Sequence, residues 1–201
     1  MSVMLSAASA LTWVTRLTDR HDEAELLAEV EALDERALRQ APLFLPYLAG
    51  ERTPHNDAQA QGVLFGLTHA HGAAALGYAV LEGVSFGLLD GWRTLDEGTR
   101  ALATSLDLVG GGARSAYWGR LLATLLDRPL TRREGGEVGG ALGAARLAWI
   151  ADGGAIATVC AKQAVIESFE PQPGRRAALM ARYERFRALY PLLRESFRAE
   201  G

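Results

Sequence analysis

The chain has 201 residues, 49% of them hydrophobic and 22% charged, with a formal net charge of −3. That supplies apolar material for one substantial core or two small ones and gives no electrostatic pull toward nucleic acid or an anionic membrane. The lone cysteine, Cys160, excludes an intrachain disulfide and a thiolate zinc cluster. A reducing compartment, the cytoplasm, is expected, with Cys160 buried as a small hydrophobe.

Residues 3–17 are predicted to form a helix, with Leu11, Val14 and Leu17 on one side. The opening "MSVMLSAASALTWVTRL" lacks the positive region that precedes a secretory signal, so an internal amphipathic helix is the better reading. A second helix is predicted over 22–39 through Leu26, Leu27, Val30, Leu33 and Leu38. Its acids come early and Arg36 and Arg39 late, an order that complements the helix dipole. "LFLPYL" reads as a short strand, "ERTPHNDAQAQ" as a polar loop and "GVLFGL" as a second strand.

A long helix is predicted over 72–97. Its glycines Gly83, Gly87 and Gly91 recur every fourth residue and leave one face without side chains. That face suits close approach by another helix or strand. A membrane dimer motif does not fit, because Glu82 and Asp90 interrupt the apolar character, and no run of about 18 residues reads as apolar enough to span a bilayer.

A strand over 105–109, a glycine turn, a helix over 115–126 and a strand over 129–132 follow. A second glycine-rich turn then leads into a helix from about 138, whose Gly139, Gly140, Gly143, Ala144 and Ala148 suit close packing. The segment "QAVIESFEP" precedes a last helix from about 175, with Leu179, Tyr183, Phe186, Tyr190, Leu193 and Phe197 along one side. Its arginines, Arg182 among them, are expected on a solvated face. Strands alternating with helices argue for one α/β domain.

The chemistry concentrates in "LVGGGARSAYWGRLLATLLDRPL". A strand delivering a glycine turn onto a helix start aims unpaired N–H groups outward, where the dipole favours negative charge. Ser115 is placed to cap the helix, and Arg114 to lie on a base or meet a phosphate. Neither standard nucleotide fingerprint is present, so a tight turn serving helix packing explains "GGGARS" equally well. His69 and His71 make no metal motif, and there is no HExxH or GxSxG sequence.

Four stretches together, "LFLPYLAGERTPHNDAQAQGVLFGLTHAHG", "AVLEGVSFGLLDG", "LVGGGARSAYWGRLLATLLDRPL" and "GGEVGGALGAARLA", resemble the FGGY family of carbohydrate kinases. "GERTPH" followed by "GVLFGLT" points to its xylulokinase branch, and the resemblance covers nearly the whole chain. It implies an actin-like ATPase, ribonuclease-H-like α/β domain spanning 1–201: the C-terminal, nucleotide-binding half of a two-domain sugar kinase. It implies ATP and magnesium as cofactors, and transfer of the γ-phosphate to D-xylulose. Gly111, Gly112 and Ser115 match positions that approach the adenosine part of ATP, and Ala8 and Thr12 match two further nucleotide-neighbouring positions.

The resemblance yields no catalytic residue and no metal ligand here, since the family's Asp base belongs to the N-terminal kinase domain. The family's Gly-Thr phosphate turn would fall just before Met1. The chain is therefore expected to begin at an internal methionine, lack its N-terminal edge and be inactive alone. Arg52 and His55 are expected in a cleft-facing loop, either touching substrate or, the favoured reading, tying the two domains together. The alternatives are a non-catalytic nucleotide-binding or scaffold fragment, or a kinase for ribulose, gluconate or glycerol. An apolar surface around "VMLSAASALTWV" is expected to be exposed and to drive self-association as a homodimer. Neither a nucleic acid nor a membrane is expected as partner.

Overall fold

The computed structural model describes residues 1–198. The chain enters extended, with the Val3 N–H on the Thr53 hydroxyl at 3.0 Å, and becomes helical only at α1 (Ala8–Leu17). The predicted helix over 22–39 is two. Asp22 caps α2 (Glu23–Glu31) by accepting from the Glu25 N–H, and Asp34 caps α3 (Glu35–Gln40) by accepting from the Ala37 N–H. A carboxylate that satisfies the orphan donors of a first turn starts a helix wherever it falls. The helix predicted over 72–97 divides in the same way. α4 (Ala73–Arg93) stops, and Asp96 caps α5 (Glu97–Leu102) by accepting from Thr99.

Two small sheets carry the strands. β1 (Leu43–Leu45) and β2 (Val63–Phe65) form an antiparallel pair. β3 (Leu106–Leu108) runs parallel to β4 (Leu130–Arg133), joined through α6 (Ala116–Leu126). β4 pairs antiparallel with β5 (Val165–Phe169), giving the order β3-β4-β5. α7 (Gly139–Ala151) and the short α8 (Ile156–Val159) separate β4 from β5, and α9 (Pro173–Leu193) closes the domain.

α4 is the axis. It packs against α1, α2, β1, α6 and α9, and Tyr78 through Leu81 are buried on every side of it. A helix apolar all round belongs inside. By length and hydropathy it does qualify as a membrane span, against the expectation from sequence, but 78% of that window is buried within the domain. Its glycine face is filled by a strand and by the extended N-terminal segment. A Cβ at Gly83 would collide with the Phe44 carbonyl, one at Gly87 with Met4 and one at Gly91 with Ser2.

Arg182 is not on the solvated face of α9. It is buried, and it donates from Nε and Nη2 to the two carboxylate oxygens of Glu82, 2.7 Å each. Its remaining N–H groups reach the carbonyls of Arg39 and Ala41, and Tyr78 donates to Glu82 at 3.0 Å. Burial pushes the Glu82 carboxyl up, and the arginine opposes that shift.

Two further expectations fail. Cys160 is exposed at the end of α8, and α7 buries no residue, touching the short α8 and the turn at 136–138 without closing over its small side chains. Of the apolar stretch expected to be exposed around α1, Val3 and Leu5 are exposed and Ala10, Leu11 and Val14 are buried; Leu147 and Trp149 of α7 are exposed as well. The physical reason is that α1 packs along the central helix α4, while α7 packs on the short α8 and the turn at 136–138.

Arg182→Met should destabilise the domain by about 3–5 kcal/mol, because it strands a buried carboxylate. Combining it with Glu82→Leu should cost clearly less than the two single losses added together. Urea unfolding of the four proteins measures this, and strict additivity would show the pair to be uncoupled.

Candidate nucleotide cleft

The glycine bend follows β3 directly. Gly110 has a φ of 88°, a conformation that glycine adopts without steric cost, and its N–H donates to the Gly136 carbonyl at 2.9 Å, bringing the two glycine-rich turns side by side. Gly111–Arg114 then forms a single 3-10 turn. Ser115 caps α6 as predicted, its hydroxyl accepting from the Trp118 N–H at 3.1 Å.

The three glycines serve different needs. Gly110 supplies the dihedral. A Cβ on Gly111 would meet nothing within 4 Å, so its bare face opens outward. Gly112 is bare because the Trp118 ring lies against it, 2.8 Å from where a Cβ would stand. The Trp118 indole N–H donates to the Ser85 hydroxyl at 2.9 Å, so the bend rests on a ring bolted to α4.

The structure brings all five positions matched from sequence to one cleft of about 450 Å³. Gly111, Gly112 and Ser115 form one wall, and Ala8 and Thr12 from the start of α1 face them. That volume is within the range of small-molecule sites. Leu11, Leu27 and Ala24 add apolar surface, and Arg114, Asp22 and Glu23 add charge. Arg114 stands where the sequence placed it, whereas Leu11, Asp22, Glu23, Ala24 and Leu27 are lining that sequence reasoning missed. The acids were legible only as first-turn residues of a helix, and nothing in their spacing tied them to the glycine bend.

The two acids are engaged differently. The Asp22 carboxyl is held below the usual range first by the Glu25 N–H that it caps. The Thr12 hydroxyl donates to Glu23 Oε1 at 2.7 Å, and that bond is the main cause holding the Glu23 carboxyl down.

Arg52 and His55 do not line this cleft. Arg52 is exposed. The His55 ring stacks on Tyr190 of α9 with centroids 3.6 Å apart, and its Nε2 lies 3.2 Å from the Tyr47 hydroxyl. Tyr190 in turn donates to Asp57 at 2.8 Å. The loop is thus fastened to its own domain. At its root Glu51 is 1% exposed, and burial pushes its carboxyl up to about 7, with Asp90 adding to the effect. Among the described residues no group of three His, Cys, Asp or Glu side chains is disposed to hold a metal ion.

A family model for the C-terminal domain of the FGGY carbohydrate kinases matches residues 2–151. A curated relative, the xylulose kinase of Escherichia coli (strain K12), is 47% identical over 195 residues, which is 96% of this chain and 40% of the relative. The xylulose kinase of Klebsiella pneumoniae is 51% identical over 152 residues, 75% of this chain and 30% of that protein. The crystal structure of a xyloylose kinase from Brucella ovis superposes with a TM-score of 0.80 at 40% identity, covering 97% of this chain and 40% of that one. The actin-like ATPase class expected from sequence agrees with these neighbours. The chain spans 40% or less of the length of these relatives.

Gly111→Ala should leave stability within about 0.5 kcal/mol of the parent, whereas Gly112→Ala should cost about 1–3 kcal/mol by forcing the Trp118 ring aside. Denaturant midpoints separate them, and equal losses would contradict the division of roles. Glu51 has its pKa raised on folding, so its favourable contribution is complete below the unfolded value and fades as pH rises toward 7. The stability of Glu51→Gln relative to the parent should therefore climb between about pH 4.5 and 7 and level off above. A flat difference across that window would remove the burial effect.

Proposed function

The chain belongs to the FGGY family of carbohydrate kinases, as its C-terminal domain, and from that premise we propose that residues 1–201 form the nucleotide-holding part of a kinase that phosphorylates D-xylulose. The reading is supported above all by the meeting of Ala8, Thr12, Gly111, Gly112 and Ser115 around one cleft whose bend presents bare main chain at Gly111. A side chain there would occupy the space in which a nucleoside comes into contact. The apolar walls from Leu11 and Leu27 suit the flat faces of a purine, and Arg114 at the exposed rim suits a phosphate or a base face.

Phosphoryl transfer needs positioning, neutralisation of developing charge and an acceptor for the hydroxyl proton. The residues of this chain contribute the first. The cleft orients the nucleoside, and the rigid Trp118–Ser85 contact keeps the bend from yielding when it is occupied. The base and the sugar-binding groups are assigned to an N-terminal kinase domain. Magnesium would enter with ATP and neutralise phosphate charge, and the described residues are assigned no part in ligating it. Homodimerisation is part of the same proposal, through the exposed α7 face of Leu147 and Trp149, and so is a cytoplasmic location.

Titrating ATP into the chain should shift the NMR signals of residues 110–117. Gly111→Leu should weaken ATP binding about tenfold or more with an unchanged melting temperature. Xylulose-dependent ATP consumption should be absent from the chain alone and appear when the N-terminal part of a xylulose kinase is supplied. Signals at the bend that ignore ATP while others respond would sink the assignment of the cleft.

A further inference from the structure

We propose that Glu23 is the ribose-recognising residue of the cleft, its carboxylate accepting hydrogen bonds from the sugar hydroxyls of the bound nucleotide; this rests on the nucleotide reading above. Glu23 stands in the first turn of α2, half-buried, across the cleft from Gly111 and Gly112. Its carboxylate is not free to wander. Oε1 takes the Thr12 hydroxyl proton at 2.7 Å, and Oε2 accepts from no other side chain among the described residues. Thr12 has thus spent its one donor on Glu23 and acts on a ligand by aiming that carboxylate.

The other acid of the cleft is not available in the same way. Asp22 Oδ1 accepts from the Glu25 N–H, and its Oδ2 lies 3.3 Å from the His21 ring. Glu23 is therefore the acid with an oxygen that no other described side chain occupies, and ionisation makes it an acceptor only. A nucleoside offers such a group two kinds of donor, an exocyclic amine and the ribose hydroxyls. The 6-amino group of adenine is flanked on each side by a ring-nitrogen acceptor, whose lone pair a carboxylate would repel. A vicinal diol can turn both protons toward the carboxylate and keep its own lone pairs away, so the charge-assisted bonds go to the sugar. A site built to bond hydroxyls rejects an analogue without them, because its acceptor is then left unpaired.

The test measures affinity of the full 201-residue chain for ATP, 2′,3′-dideoxy-ATP and purine riboside triphosphate, which lacks the 6-amino group. The parent should prefer ATP over the dideoxy analogue by about tenfold. Glu23→Ala should lower affinity for ATP and for the purine riboside equally and leave the dideoxy analogue unaffected, bringing the preference close to one. Thr12→Val should reduce the preference part of the way, and Glu23→Gln, which keeps one acceptor, should retain part of it. Thermal melts establish that each variant is folded. Equal losses for all three ligands would make Glu23 merely structural, and a loss shared by ATP and the dideoxy analogue that spares the purine riboside would move its contact to the base amine. Either result overturns the ribose assignment and leaves the nucleotide cleft standing. A parent chain that binds none of the three overturns both.

Discussion

One buried carboxylate dictates how much of this domain is arranged. Glu82 sits in the middle of a helix that is apolar all round, and an ionised group there is tolerable only if it is paired and fully hydrogen-bonded. Arg182 supplies the pairing from a helix 100 residues further along the chain. Its guanidinium has donors to spare, and they bind the carbonyls of Arg39, Ala41 and Pro42, where α3 turns into β1. The carboxylate therefore fixes α4, α9 and the entry of β1 at once. Ser85, almost one turn further along α4, receives the Trp118 indole N–H. The ring that props the glycine bend thus hangs from the same helix that Glu82 locks.

The bend shows how little residue identity says about purpose. Three adjacent glycines answer to three separate constraints: a positive φ at Gly110, open space at Gly111 and an aromatic ring at Gly112. Gly110 and Gly111 both leave open space, and of the two Gly111 lines the cleft. The glycines of α4 answer to a fourth constraint, the close approach of backbone and of the N-terminal segment. In α7, Gly140 and Gly143 meet no neighbour among the described residues.

The start of α2 divides labour between two neighbouring acids. Asp22 holds the helix end by taking an orphan N–H, which leaves Glu23 free to be held by Thr12 from α1. A helix start and a cleft wall are built from the same dipeptide. The division depends on α1 and α2 lying together on α4, which brings a hydroxyl and a carboxylate 11 residues apart into contact.

The sequence alone determined the α/β class, most of the strands and helices in their order, the Ser115 cap and five of the positions that line the cleft. These follow from local periodicity, from capping chemistry and from motif resemblance, all of which are written in short windows. It did not determine where helices broke at Asp34 and Asp96, because an acid inside a helical pattern reads as surface charge until its backbone partner is known. It misplaced Arg182 and Cys160 for a related reason: burial depends on what lies opposite, and Glu82 stands 100 positions away. Only the tertiary structure could set Thr12 against Glu23, lay Trp118 beneath Gly112 and draw His55 onto Tyr190. Contacts between distant segments are fixed by how helices and strands pack, and no local pattern encodes them.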